Sequence, residues 1–427
     1  MRNSTVRSVS DPISVWVPFL IMLFMYFVIG VFTVINQQFQ IPLKASMLPE
    51  NSNISNALVT LLNFSWFLAY PFSDLFATRW LENSGYRKTT VYALFILVAG
   101  LLVYEAAVWM HTTHPMHITF WGNSISVGFF IFLAGSFVVG TSAAILQVVL
   151  NLYLTVVRVG GTTPLQRQMI GGTVNSVGMA IAPLLVSYII FQRTSLLQVS
   201  SSEFTMPVMW MTAIMALIAV VVGYVTMPNL PDSLGKKDTE LKEKSIWSFR
   251  NFKWGFWGLF IYVGIEVSVG ANINMYAIEL GGSYISQATH MAALYWGLLL
   301  AGRLTGSFLK NISSQLQLVT ASIGAIIFLA LAIIFANPWI LTGVGFFHSI
   351  MWPAIFTLAI NNLGKYVAKA SGLLTMAVIG GGVIPFLQGI LADIFGGVWR
   401  FTWILVIAGE FYILFYGKSE YKSTEKP

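Results

Sequence analysis

The run PNLPDSLGKKDTELKEKSIWSFRNFK, from Pro228 to Lys253, decides how this chain is organised. It is the one long polar stretch between the two ends. It holds Lys236, Lys237, Lys242, Lys244, Arg250 and Lys253 against Asp232, Asp238, Glu240 and Glu243. Charges at that density stay in water, so the run is a solvated linker. Six apolar segments long enough to cross a bilayer precede it and six follow. The expected domains are therefore residues 1–227, the basic linker 228–253, and residues 254–427 ending in a short tail.

Of the 427 residues, 56% are hydrophobic and only 9% charged. A water-soluble domain carries roughly 25% charged residues. A chain this apolar lacks the polar surface to cover itself, so its solvent is lipid. The net charge of +7 does not point to nucleic acid, because the cations gather in the linker and at segment ends. There is no cysteine, hence no disulfide frame and no thiolate site. No phosphate-cradling glycine loop or serine–histidine–aspartate order stands out, so no enzyme is expected. The loop histidines His111, His114 and His117 have ligand-like spacing, but Pro115 interrupts them and no acid joins them. They are read as loop residues, and neither metal nor cofactor is expected. The first apolar run is too long for a signal-peptide core and is read as a retained span.

A span needs about 20 apolar residues. The segments fall at 15–38, 56–78, 90–110, 124–150, 168–191, 207–227, 254–278, 288–309, 315–335, 338–362, 371–392 and 399–417. Arg2, Arg7, Arg79, Arg87, Lys88, Arg158, Arg167, the linker cations, Lys310, Lys365, Lys369, Lys418, Lys422 and Lys426 then share one side. Only Lys44, Arg193 and Arg400 lie in the opposite loops. The asymmetry puts both termini and the linker in the cytoplasm of a multi-pass membrane protein. Six spans, a linker and six spans is an all-α plan of two bundles, as in secondary transporters. Glycine and proline interrupt spans seven, ten and eleven (Gly264, Gly270, Pro353, Gly380 to Gly382, Pro385), which suits either close helix packing or moving, cavity-lining helices.

Polar side chains at membrane depth are costly and face inward. Asn36, Gln37, Gln38 and Gln40 end span one, where amides can also simply reach water. Gln147 and Asn151 share a face of span four, and Asn175 lies in span five. Neutral amides pair with hydroxyls without burying a charge, which suits sugar recognition; bonds between helices are the alternative use. Tyr262, Glu266, Gly270 and Asn274 follow one another at i,i+4 on span seven, with Asn272 beside them. Glu266 is the most deeply placed carboxylate, whereas Asp74, Glu105, Asp393 and Glu410 fall nearer span ends. It is expected either to titrate or to be pinned by a partner. Tyr295 and Trp296 in span eight, His348 and Trp352 in span ten and Gln388 in span eleven complete the candidate set. Trp352 could stack on a pyranose. Arg303 is expected to reach the cytoplasmic interface or a carboxylate.

The segments YVGIEVSVGANINMY (262–276), LYWGLLLAGRLTGSFL (294–309), GFFHSIMWPAIFTLAI (345–360) and SGLLTMAVIGGGVIPFLQGILAD (371–393) resemble the fucose–proton symporter family of the major facilitator superfamily, to which fucose and glucose/galactose permeases belong. In the first half the resemblance rests on QVVLNLYLTVV (147–157), NSVGMAIAPLL (175–185) and GYRK (85–88). It implies twelve helices, alternating access and a central sugar site. Proton-coupled members carry an aspartate in span one and a glutamate in span four. Here the first falls on Gln37, or on Gln38 if Pro42 is the anchor, and the second on Gln147. An amide keeps the shape but takes up no proton. The family's asparagines in spans four and five are Asn151 and Asn175, and its asparagine in span ten is His348. The expectation is a monomeric monosaccharide carrier in the inner membrane, without cofactor. It runs as a facilitator, or couples to protons through Glu266 or His348. Carriage of an amino sugar or peptidoglycan fragment, and a sugar sensor of the same fold, are the alternatives.

Overall fold

The computed structural model describes residues 12–49, 52–227, 245–306 and 312–424. Residues 228–244, most of the expected linker, lie outside the described residues, as do Arg2, Arg7 and Lys310. The elements in order are α1 (Pro12–Gln38), α2 (Gln40–Met47), α3 (Ser55–Thr113), β1 (His117–Phe120), β2 (Asn123–Ser126), α4 (Val127–Val156), α5 (Pro164–Leu184) and α6 (Thr205–Tyr224). Beyond the linker come α7 (Arg250–Leu280), α8 (Ser283–Gly306), α9 (Ser314–Phe335), α10 (Pro338–Thr342), α11 (Val344–His348), α12 (Met351–Ile360), α13 (Val367–Met376), α14 (Gly380–Ile394) and α15 (Trp403–Thr424).

Ten of the described helical stretches are long and apolar enough to cross a membrane. The 59 residues of α3 would reach about 88 Å at ~1.5 Å each, three times the ~30 Å of a hydrocarbon core. It breaks at Gly85, whose φ of 72° only glycine adopts freely, and so makes two crossings. Span ten is α10 to α12 in three pieces, and span eleven is α13 and α14 joined by a 3-10 turn at Ala377–Ile379. With α8, more polar than the rest, twelve crossings result, in two six-helix bundles.

The breaks are not where proline alone would put them. In span ten they lie at Gly343 and at Ser349–Ile350, upstream of Pro353. Span seven is one unbroken helix despite its glycines, which serve close approach instead. A Cβ on Gly264 would overlap Ile384 and the Gly380 carbonyl, and one on Gly270 would overlap the Trp296 indole. Every residue of α7 from Tyr262 to Ala277 is buried, so it is a central helix. The faces of α6 and α9 are largely open, with Trp210 and Phe335 outward, as lipid-facing helices require. The short β1–β2 hairpin had no signal in the sequence pattern; His111 bonds Ser126 beside it through Nδ1 at 2.7 Å.

Helix ends are closed by side chains from elsewhere in the fold. Buried Arg167 donates to the carbonyls of Leu154 and Thr155, ending α4. Arg400 does the same for Ile333 and Ile334 at the end of α9. Asp393 on α14 accepts from the backbone N–H of Asn56 and Ala57 at 3.1 and 2.7 Å, and from the Asn56 amide at 2.8 Å. It thus caps the start of α3 across the boundary between the halves, with Lys44 bonded to Asn56 beside it. Charge-assisted bonds are worth about 1.5–3 kcal/mol. Asp393→Ala is therefore expected to lower the thermal unfolding midpoint in detergent by several degrees; an unchanged midpoint would mean that the cap contributes nothing.

Candidate functional site

In the first half, Tyr26 of α1 is the hub. Its hydroxyl lies 2.5 Å from Asn151 Oδ1 and 3.3 Å from Gln168 Oε1, and its carbonyl accepts from Asn175 Nδ2 at 2.9 Å. Gln168 also donates to the Asn151 carbonyl at 2.7 Å. Asn151 and Asn175 therefore face the interior of the bundle, among α1, α4 and α5. Half-buried Gln147 lies one turn before Asn151 on the same face, and its side chain bonds to none of the described residues. Tyr26 and Gln168 were missed by the sequence reading. Gln168 stands seven residues before Asn175, a same-face spacing that could have signalled it.

Asn36 is fully engaged: Tyr104 and Ser136 donate to its Oδ1 at 3.0 and 2.9 Å. Its neighbours are not. Gln37 and Gln40 are buried with both amide atoms unpartnered among the described residues. Gln38 Oε1 accepts from Asn274 Nδ2 of α7 at 2.7 Å, joining the two halves, while Gln38 Nε2 and Asn274 Oδ1 are left over. Asn272 donates to Gln388 at 2.9 Å, Gln388 donates to Thr402 at 3.0 Å, and Asn272 Oδ1 has no partner among the described residues. The Trp296 indole N–H, against Gly270, has no acceptor among the described residues. The free atoms of Gln37, Gln38, Asn272, Asn274 and Trp296 thus fall on α1, α7 and α8.

The second half carries an ionisable network. Tyr262 Oη lies 2.7 Å from Glu266 Oε1 and 2.9 Å from the His348 carbonyl. Tyr295 Oη lies 3.0 Å from the Glu266 carbonyl and 2.7 Å from His348 Nδ1. His348 Nε2 then meets Glu410 Oε1 of α15 at 2.7 Å, both side chains 0% exposed. Glu410, placed near a span end by the sequence map, is instead sealed within the fold, because α15 begins at Trp403 and carries it two turns in. Half-buried Trp352 sits 6.5 Å from the Tyr262 ring at 56° and stacks on Phe356. Arg303 bonds to no carboxylate among the described residues: it donates to the Gly172 carbonyl at 3.1 Å and to Ser176 Oγ at 2.5 Å, both on α5 of the other half. Among the described residues no three of His, Asp and Glu form a metal-holding group.

Removing one member of a buried pair strands the other at a cost of about 3–5 kcal/mol, whereas apolar replacement of both is often neutral. His348→Ala and Glu410→Ala are each expected to cut thermal stability sharply, and His348→Leu with Glu410→Leu to recover much of the loss. Thermal unfolding of the four proteins in detergent checks this, and additive losses would refute a shared interaction.

The chain matches the family model described as Major Facilitator Superfamily over residues 16–384. A Glucose/galactose transporter of Brucella abortus is 26% identical over 382 residues, covering 87% of this chain and 88% of that protein. The L-fucose-proton symporter of Escherichia coli is 23% identical over 376 residues, 81% of each. Its fold agrees as well: a crystal structure of the E. coli fucose:proton symporter superposes with a TM-score of 0.65 over 95% of this chain and 99% of that one, at 19% identity. With twelve crossings in two bundles and a match across most of its length, this chain belongs to the Major Facilitator Superfamily, as its resemblance to fucose–proton symporters and glucose/galactose permeases implied.

Proposed function

We propose that this protein is a secondary transporter that carries a monosaccharide, a hexose or 6-deoxyhexose, by alternating access. The observation that carries the reading is the set of buried, unpartnered amide atoms on Gln37, Gln38, Asn272 and Asn274, joined across the halves by the Gln38–Asn274 bond. A buried polar group left without a partner costs about 1–3 kcal/mol. A ligand with several hydroxyls both donates and accepts, and so meets amide oxygens and nitrogens alike. The set is uncharged, which favours a neutral solute over an acid or a phosphate. Trp296 and Trp352 add the flat apolar faces that a pyranose ring prefers. The sugars in the names of the Brucella and E. coli relatives support the same class.

The membrane is the bacterial inner membrane on this reading, with both termini and the linker cytoplasmic, following the distribution of lysine and arginine. The protein works as a monomer, without a cofactor. Gln37 and Gln147 stand where coupled relatives are expected to carry carboxylates, so neither binds a proton here.

Radiolabelled glucose, galactose and fucose exchange in proteoliposomes, with unlabelled sugars and amino sugars as competitors, tests the reading. Saturable exchange with a monosaccharide is the expected result; binding without exchange would instead mark a sensor. Gln37→Ala is expected to weaken sugar binding about tenfold, the ~1.4 kcal/mol of one good hydrogen bond. Gln37→Asp combined with Gln147→Glu is expected to make uptake rise more steeply than in the unaltered protein on moving from mildly alkaline to mildly acidic buffer. A profile no steeper than that of the unaltered protein would count against the alignment.

A further inference from the structure

We propose that Glu266, held by Tyr262, is the proton-binding site of this carrier. The proposal rests on the transport reading above and adds the ion and its place. It comes from counting hydrogens. A phenol has one hydrogen, and a backbone carbonyl only accepts. Tyr262 Oη is within bonding distance of the His348 carbonyl and of Glu266 Oε1. When Tyr262 donates to the carbonyl, the contact with Glu266 needs a hydrogen on the carboxyl group. With Glu266 ionised, three oxygens share one hydrogen, and one short oxygen–oxygen contact has none. The arrangement is therefore complete with Glu266 as the acid.

The same count separates Glu266 from the pair behind it. Tyr295 spends its hydrogen on the Glu266 carbonyl, so His348 Nδ1 carries a hydrogen and donates to the phenol oxygen. One further hydrogen then lies between Nε2 and Glu410 Oε1. Both of those side chains are fully enclosed, and Ser322 Oγ of α9 comes near Glu410 without forming a hydrogen bond. That hydrogen is a fixed part of the core. Glu266 as a residue is 9% exposed where that pair is at 0%, and the exchanging proton is assigned to it.

Among the described residues, the groups acting electrostatically on Glu266 are Tyr262 of α7, Arg303 of α8 and His348 of α11, with Tyr295 of α8 and Glu410 of α15 one contact further. Arg303 makes no ion pair with Glu266 and is bonded instead to the Gly172 carbonyl and Ser176 Oγ. In each cycle a proton from the outer water forms the O–H of Glu266, one sugar binds, and both leave to the inside, so one positive charge crosses with each sugar. Gln37 and Gln147 take no part in this step.

Proteoliposomes loaded with a pH indicator decide the matter, with glucose, galactose and fucose as probes. In the unaltered protein, sugar entry down its gradient is expected to carry protons inward in step with the sugar. Glu266→Gln should abolish that proton movement and uphill accumulation while leaving slower sugar exchange; Glu266→Asp should restore coupling. Tyr262→Phe, which keeps the ring, should shift the pH profile of exchange. Sugar exchange by the unaltered protein without proton movement overturns this proposal and leaves the transport reading intact. Absence of any exchange overturns both. Proton movement that survives Glu266→Gln, or a pH profile unmoved by Tyr262→Phe, overturns the assignment to Glu266.

Discussion

Inside hydrocarbon no water stands by to satisfy a polar group, and that scarcity governs this molecule. Each buried amide, phenol and carboxylate must find a partner on another helix, or wait for one that arrives with a ligand. Asn36, Asn151 and Asn175 have found theirs and bind helices together. Gln37, Asn272 and Asn274 have not, wholly or in part. The difference separates amides that tie helices together from amides with hydrogen-bonding capacity left over. It is a difference of contact, not of chemical type.

The two halves meet through contacts of unlike kind. Asp393 closes the start of α3 with backbone bonds, Gln38 joins Asn274 by a single amide bond, and Arg303 reaches α5 through a carbonyl and a hydroxyl. None of these is an ion pair. Hydrogen bonds to neutral partners can break and re-form without exposing a bare charge pair to lipid. The enclosed pair of His348 with Glu410 lies within one half.

Much of the fold was legible because bilayer thickness is a ruler: runs of about 20 apolar residues, separated by charge, count themselves. The helix that fused spans two and three at Gly85 and the split of span ten were not legible. Gly343 looks no different from Gly264 in sequence, yet the first marks a break and the second a close approach. Whether a glycine bends a helix or admits a neighbour depends on what lies across from it. The β1–β2 hairpin was missed for a related reason: four-residue strands carry too little alternation to register.

The candidate site divides the same way. The sequence alone determined that the membrane is this protein's solvent, how many times it crosses, and which polar residues lie too deep to be accidental. It also showed amides at Gln37, Gln38 and Gln147, since side-chain identity needs no structure. Only the tertiary structure decided which of those residues touch. It enclosed His348 against Glu410, set Tyr262 between a carboxyl group and a carbonyl, and carried Arg303 to the other half. Periodicity specifies the face of a helix on which a residue lies. The partner opposite that face, often more than a hundred residues away, is fixed by how the helices pack.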